Sequence, residues 1–204
     1  MNVQLLCHRV ERGVKRRVRQ FLQKHYYDVR PSIWVVKRRS SGKNIVGCEV
    51  GTFEGENAYN MLRNIPNLKK LYLVDPYELY EGYTDFKKTV DIHPTLLTDA
   101  QKKAKKQLKR YNIRIEWIQA KFEADLILEP LDFIYIDGQH TYEAVVHDIL
   151  EAEKIVKIGG VIAGHDYYPE NHYLSEKYGV GCAVRDHYGS SFSWKFNDWW
   201  VIHE

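Results

Sequence analysis

The sequence has few cysteines, no long apolar run and no large excess of either charge. Its three cysteines, Cys7, Cys48 and Cys182, are too few and too scattered for a disulfide framework or a zinc cluster. No apolar stretch is long enough to span a bilayer, and no apolar signal core lies at the N-terminus, so we expect a cytoplasmic protein. The net charge of +3 predicts no strong bulk attraction to nucleic acid.

The length and apolar content of the sequence indicate one folded domain with an N-terminal extension. The chain has 204 residues, of which 44% are apolar, enough to bury a core. Apolar residues recur at helical spacing among basic ones in residues 1–30, which predicts an amphipathic basic helix. This extension has three interpretations. It is a solvated packing helix, a dimerisation or lid element, or an element that binds an anionic acceptor, a membrane face or nucleic acid. We expect residues 31–204 to form the main domain.

After Gly42, short apolar runs alternate with helical patterns. Strands are predicted at 45–50, 71–74, 113–118, 131–136 and 160–163, and helices at 54–64, 98–111, 142–156 and 181–188. A capping box formed by Thr98 and Gln101 would open the second helix. A hairpin is predicted at the C-terminus, with a turn at Asn197-Asp198 between strands at 192–195 and 199–202. The alternation predicts a Rossmann-like α/β fold, with a doubly wound, mostly parallel sheet of about seven strands and a C-terminal antiparallel hairpin.

Polar residues follow the predicted strands where each one ends. In a sheet of this kind, ligands bind at the carboxyl ends of the strands, near the point where strand order reverses. Those ends carry Gly51, Asp75, Asp137 and the pair His165-Asp166. We therefore expect one functional edge of the sheet.

The turn after the first strand favours close contact between backbone and ligand. Gly51 and Gly55 lie four residues apart, which differs from the dinucleotide pattern G-x-G-x-x-G. Glu49 lies within the buried run, where a carboxylate needs a partner such as a cationic amino acid group. An ordinary strand-turn-helix joint is the alternative interpretation.

The next three strand ends add acidic and imidazole groups. Asp75 lies 20 residues after Gly55, where an acid can accept both hydroxyls of a ribose, although an Asp before Pro is also a common turn cap. Asp137 with His140, and His165 with Asp166, should converge in the cleft beyond the fourth and fifth strands. Capping of loops by the two histidines is the alternative.

These four segments, in this order, resemble the class I S-adenosylmethionine-dependent methyltransferases. More narrowly, residues 43–204 resemble the small-molecule O-methyltransferase-like (methyltransferase 24-type) group. The likeness rests on the glycine-acid-glycine turn at Gly51 to Gly55, on Asp75-Pro76, and on Asp-Gly-x-His-x-Tyr-Glu starting at Asp137. Phe53 departs from the pattern, because many methyltransferases have a middle glycine there.

The resemblance implies S-adenosylmethionine (SAM) as the methyl donor and assigns residues to it. Glu49, Gly51 and Thr52 would line the methionine part in the turn that Gly55 closes, and Asp137 would lie beside the sulfonium. Asp75 would hold the ribose. The adenine pocket would be edged by Pro76-Tyr77 and met by Lys121-Phe122.

The resemblance also implies the catalytic groups, His140, Asp137 and Asp166. Methyl transfer needs alignment above all, and His140 would act as the general base toward an acceptor hydroxyl. Related metal-dependent enzymes hold a divalent cation such as Mg²⁺ at these strand ends, which here would involve Asp137, His165 and Asp166. His165 stands where those enzymes have an acid, and Mg²⁺ prefers oxygen ligands.

The function expected from these residues is O-methylation of a small-molecule or sugar-like hydroxyl. Residues 167–178, with Tyr77, Tyr80 and Tyr83, would form the acceptor pocket and lid, and a homodimer could use the N-terminal helix. Methylation of RNA is a second hypothesis, weakened because no Asn-Pro-Pro-Tyr-like segment follows the fourth strand. A non-catalytic nucleotide-binding protein of the same fold is the third.

Overall fold

A computed structural model describes residues 29–79, 95–168 and 179–204. Within it, Pro31–Glu204 forms a compact unit. The predicted N-terminal helix and most of the tyrosine-rich acceptor loops, including Tyr80 and Tyr83, lie outside the described residues. The hypotheses that rest on those segments stay predictions.

The described residues form a seven-stranded sheet in the order β3-β2-β1-β4-β5-β7-β6. The first five strands run parallel, while β7 is antiparallel to both β5 and β6. Their bounds are β1 Ile45–Val50, β2 Leu68–Val74, β3 Ile115–Ile118, β4 Leu131–Ile136, β5 Val156–Gly164, β6 Ser193–Lys195 and β7 Asp198–Ile202. Strand order reverses between β1 and β4, so the predicted Rossmann-like α/β fold with a terminal hairpin is confirmed.

Five α-helices cover the sheet in the described residues. They are α1 Pro31–Arg39, α2 Glu56–Asn64, α3 Leu96–Leu108, α4 Tyr142–Ile155 and α5 Val180–Tyr188. The side chain of Thr141 caps α4 by accepting a hydrogen bond from the Ala144 amide. On α3 only Ala100, Ala104 and Leu108 are buried, so its basic residues form a largely solvated face. None of the helices described is both long and apolar enough to cross a membrane.

The central strands β1 and β4 are buried on both faces, as expected for a parallel sheet between helix layers. One face contributes Cys48, Tyr72, Ile134 and Ile162 to a core completed by α4 and α5. Cys48 is fully buried and forms no disulfide. Alternate strand residues, such as Leu71 and Phe133, are buried on the opposite face.

Several predicted boundaries were wrong. The helix predicted from residue 98 begins at Leu96 after Thr95, which places Thr98 inside the first turn rather than at a capping position. Residues 109–114 form a 3₁₀ turn, so β3 starts at Ile115 instead of 113. The second and fifth strands are longer than predicted, because lysines and glycines continue the backbone pairing beyond their apolar runs.

Helix α1 was not predicted at all. Pro31 was interpreted as the end of a helical pattern, but it is the first residue of α1, where proline's missing N–H needs no partner. The carboxylate of Asp198, in β7, accepts hydrogen bonds from the Ser32 amide (3.2 Å) and the Ser32 hydroxyl (2.6 Å). Asp198 also accepts from the Tyr135 hydroxyl at 2.9 Å and is 2% exposed. It is therefore a buried acceptor that joins α1, β4 and β7, and the hairpin turn lies at Phe196-Asn197.

Candidate active site

The turn after β1 brings two loops into direct backbone contact at Gly51. Its φ of 82° is in the left-handed region, and its N–H donates to the Val74 carbonyl at 2.9 Å. A Cβ added at Gly51 would lie 2.1 Å from the Asp137 carbonyl oxygen. Since that approach is impossible for any side chain, glycine is required where the β1 and β4 ends meet.

The same turn explains how the chain accommodates Phe53. Phe53 has a φ of 45°, a conformation that glycine adopts at lower cost, so the turn keeps its shape despite the substitution. Among the described residues, three of the four non-glycine residues with positive φ follow strand ends at this edge: Phe53, Tyr77 and Asp166. Such strain clusters at functional sites. Gly55 (φ 80°) then precedes α2, where a Cβ would lie 3.1 Å from the side chains of Ala104 and Leu108.

A buried polar group lies beneath this turn. Glu49 is 1% exposed and accepts a hydrogen bond from the Asn57 side-chain amide at 2.9 Å. Thr52 Oγ1 and Asn57 Oδ1 are also buried, and neither has a hydrogen-bond partner among the described residues. Buried acceptors of this kind are costly unless a ligand supplies donors, as an ammonium group does. Sequence reasoning missed Asn57. The signal that could have found it is Glu49, because a buried carboxylate needs a hydrogen-bond donor and the following helix is near in sequence.

Asp75 connects the loops that follow β1 and β2. Its two carboxylate oxygens accept the amides of Phe53 and Tyr77, each at 2.8 Å, and the Tyr77 hydroxyl donates to the Phe53 carbonyl at 2.9 Å. Asp75 is thus a turn cap, the alternative that the sequence left open. Each carboxylate oxygen has a second lone pair, so Asp75 can also accept ribose hydroxyls. Burial raises the pKa of Asp75, while the backbone amides of Phe53, Tyr77 and Thr52 oppose that rise.

The ends of β4 and β5 bring the predicted acids and histidines together. His140 Nε2 lies 2.9 Å from Asp166 Oδ2 and 3.6 Å from Asp137 Oδ1. His165 Nδ1 lies 3.2 Å from Asp166 Oδ1 and 3.9 Å from Asp137 Oδ1. These four side chains are 15 to 19% exposed, so they line a recess that solvent still reaches.

Asp166 is the centre of this cluster. Burial alone would raise the pKa of its carboxyl, but hydrogen bonds from His140 and His165 outweigh burial and hold the pKa of Asp166 well below its usual range. The Tyr168 hydroxyl also donates to Asp166 Oδ1 at 2.6 Å. Tyr168 lies in the segment 167–178 that was predicted to form the acceptor pocket, but its contact with Asp166 was not predicted. Asp166 is therefore a fixed anion that can orient an imidazole and stabilise its protonated form.

The ligand atoms that lie close enough to share a metal ion belong to Asp137, His140 and Asp166, all within 4.8 Å of one another. Of the predicted metal ligands, His165 is not in this set; His140 takes its place. Two carboxylates and one imidazole suit a transition metal better than Mg²⁺, which prefers oxygen ligands alone. These residues could hold such an ion, which would act as a Lewis acid beside the acceptor.

The remaining predicted residues are those that the sequence assigned to an adenine pocket. Pro76 is half-buried at the end of β2, and Tyr77 beside it is 7% exposed. Phe122 is 3% exposed and belongs to the core cluster, whereas Lys121 is exposed. The segment after β3 therefore contributes Phe122 mainly to packing.

The four strand ends fall within a region that matches a known family. A family described as a methyltransferase domain matches residues 48–167, more than half of the chain. The chain belongs to this methyltransferase domain family. The match supports SAM as the cofactor of this domain.

Two solved structures with the same fold contain this cofactor or its product. The Streptococcus mutans protein SMU.1697c, in complex with S-adenosylhomocysteine (SAH), is 14% identical with a TM-score of 0.56, covering 86% of this methyltransferase and 99% of that chain. The O-methyltransferase TomG of Streptomyces achromogenes, in complex with SAM, is 13% identical with a TM-score of 0.54, covering 85% and 78%. At such identities the likeness concerns the fold alone.

A viral protein is more similar in sequence. The uncharacterized protein R132 of Acanthamoeba polyphaga mimivirus is 30% identical over 123 residues, which are 58% of this methyltransferase and 50% of R132. The aligned region thus spans about half the length of that curated relative.

Proposed function

We propose that this methyltransferase transfers the methyl group of SAM to a hydroxyl of a small-molecule or sugar-like acceptor, with His140 as the general base. The observation that carries the proposal is the His140–Asp166 pair at 2.9 Å, beside Asp137 in a cluster that is largely buried but still reached by solvent. In the reaction the acceptor oxygen forms a bond to the methyl carbon as the carbon–sulfur bond breaks, leaving SAH. The hydroxyl proton passes to the imidazole.

The His140–Asp166 geometry suits this proton transfer. A carboxylate beside a histidine orients the ring and stabilises the imidazolium that forms when the ring accepts a proton. Asp166 is held as an anion by its own environment, so it can fill this role throughout turnover. The limited exposure of the cluster favours a small acceptor over a base held within folded RNA.

The cofactor half of the site has its own donors and acceptors. We assign the ammonium of the methionine moiety to the region of Glu49, Thr52 and Asn57, because Thr52 and Asn57 bury acceptors that a ligand would satisfy. We assign the ribose to Asp75, whose oxygens retain lone pairs beyond the two backbone amides. Asp137, next to Gly51, would then lie near the sulfonium. The reacting groups would be aligned between these two halves, which can lower the barrier by about 7 to 11 kcal/mol.

Transfer of a labelled methyl group tests the proposal. The enzyme would be incubated with methyl-labelled SAM and a panel of phenols, catechols and hexoses, and separately with total RNA. We expect label in a hydroxyl-bearing small molecule. With that acceptor, His140→Ala should lower kcat by about 10² to 10⁴, because a positioned general base contributes that factor.

The control is His203→Ala. His203 hydrogen-bonds the Val156 carbonyl at the opposite end of β5, at 2.7 Å, so its loss should leave kcat unchanged. SAH affinity should be similar in all three proteins. Label found only in RNA, or normal turnover in His140→Ala, would refute the proposed acceptor class or the proposed base, respectively.

A further inference from the structure

A second cluster of metal-ligating side chains lies apart from the active-site recess. It contains Glu123, in the segment after β3, and His147 and Glu151 on α4. One ligand atom from each of the three lies within 4.8 Å of the others. His147 and Glu151 are four residues apart, so they share one face of the helix. None of the three has a role in the methyl transfer proposed above.

The orientation of His147 is the second observation. Its Nε2 points toward Glu123 Oε1 at 3.4 Å, while its Nδ1 lies 3.4 Å from Asp148 Oδ1. Asp148 is only 8% exposed and therefore a fixed partner. Metal-binding histidines almost always donate their other ring N–H to a carboxylate or carbonyl in this way, which fixes the tautomer that leaves the outer nitrogen as a ligand.

Glu151 already attracts a cation. Its Oε2 accepts the Ala124 amide at 3.0 Å, which anchors the carboxylate, and its Oε1 pairs with the ammonium of Lys154. The Lys154 side chain is 61% exposed and can move into solvent if a stronger cation takes its place. Glu151 and Glu123 approach the same point from two different segments.

We propose that Glu123, His147 and Glu151 bind a divalent transition-metal ion with the coordination preferences of Zn²⁺. Ligands at about 2.1 Å around a tetrahedral ion lie about 3.4 Å apart. The His147–Glu123 separation already has that value. Three protein ligands would leave a fourth position for water. The ion would clamp the segment after β3, including Phe122, onto α4.

Zinc titration of tag-free, chelator-treated protein tests the site. The titration uses a His140→Ala background, which removes one ligand of the active-site cluster. We expect one Zn²⁺ per chain by calorimetry and a rise in Tm on zinc addition. Adding His147→Ala should abolish both. If zinc binds equally with and without His147, or binds in neither case, the proposal is overturned.

A second histidine gives a matched control. His187 Nε2 lies 2.9 Å from Glu153 Oε1, but no third ligand atom joins that pair among the residues described. Adding His187→Ala to the same background should leave zinc affinity unchanged. A loss of binding equal to that of His147→Ala would show nonspecific histidine binding and overturn the assignment.

Two further substitutions should shift affinity in opposite directions. Lys154→Met removes the competing ammonium and should tighten zinc binding. Asp148→Asn keeps the shape of the buried partner but removes its charge, and should weaken zinc binding about 10- to 100-fold. Circular dichroism would establish that both variants fold. Equal zinc affinity in these variants and in the parent would contradict the proposed ligand arrangement.

Discussion

At the scale of single residues, the active site depends on positions where no other side chain fits. Gly51 is one of them, because the Asp137 backbone occupies the space of a Cβ. Gly159 provides a comparison: it has nearly the same positive φ, 80° against 82°, but nothing lies within 4 Å of its missing Cβ. Substituting alanine at each glycine therefore distinguishes the cost of a left-handed backbone conformation from the cost of steric overlap with a neighbouring backbone.

Gly51→Ala should destabilise the protein more than Gly159→Ala. Gly159→Ala, the control, should lower the free energy of unfolding by about 1 to 2 kcal/mol, because alanine must then adopt a left-handed conformation. The Gly51 change adds about 1 to 3 kcal/mol for overpacking against the β4 end. Urea unfolding measures both, and SAH titration should show weakened binding in Gly51→Ala alone. Equal losses of stability in the two variants would contradict this account of the turn.

The raised pKa of Asp75 predicts a pH-dependent affinity for SAH. A carboxyl whose folded pKa is raised favours the folded state below its unfolded pKa, and that contribution is lost as pH rises through the folded pKa. Ribose hydroxyls donate to the ionised form, so SAH affinity should increase as pH rises through the pKa of Asp75. Calorimetry between pH 4 and 7 tests this. In Asp75→Asn the dependence should disappear; an equal dependence in both proteins would assign it to another group.

Much of the residue-level site was predictable, because polar side chains that interrupt apolar runs have few structural reasons to be there. Asp137, His140 and Asp166 do converge. Asn57 and the contact between Tyr168 and Asp166 were not predicted, since an amide on a helix and a tyrosine in a loop are common everywhere. Which of the two histidines joins Asp137 and Asp166 in one group of ligand atoms depends on side-chain directions after the strands end, which residue spacing does not specify.

At the scale of elements, α1 is held in place by a residue more than 160 positions away. Asp198 accepts both the amide and the hydroxyl of Ser32, and Tyr135 supplies a third donor. The sequence predicted strands such as 45–50 and 131–136 to the residue because they are largely apolar runs, each with a single acidic residue, between turn signals. It did not predict α1, because Pro31 was interpreted as the end of the preceding helical pattern and the acceptor at the N-terminus of α1 comes from β7.

Asp198→Ala should lower the free energy of unfolding by about 3 kcal/mol. The change removes the acceptor and leaves buried donors without a partner, which costs more than a lost hydrogen bond. Ser32→Ala and Tyr135→Phe each remove one donor and should cost about 1 kcal/mol. Denaturant unfolding at pH 7 measures all three. If Asp198→Ala lowers the free energy of unfolding no more than Tyr135→Phe does, the hydrogen bonds around Asp198 do not stabilise the fold together.

At the scale of the whole molecule, the site exists because the sheet order reverses between β1 and β4. The parallel strands then present Gly51, Asp75, Asp137 and Asp166 at one edge. That convergence follows from alternating strands and helices, so it was predictable from the sequence. The acceptor was not, because no motif in the sequence specifies the groups that would contact it.

The central claim is that this edge binds SAM rather than a dinucleotide, and separate calorimetric titrations of SAH and NAD test it most directly. We predict one SAH bound per chain, with affinity lost in Gly51→Ala and retained in Gly159→Ala, and no binding of NAD. Binding of NAD without binding of SAH would contradict the claim.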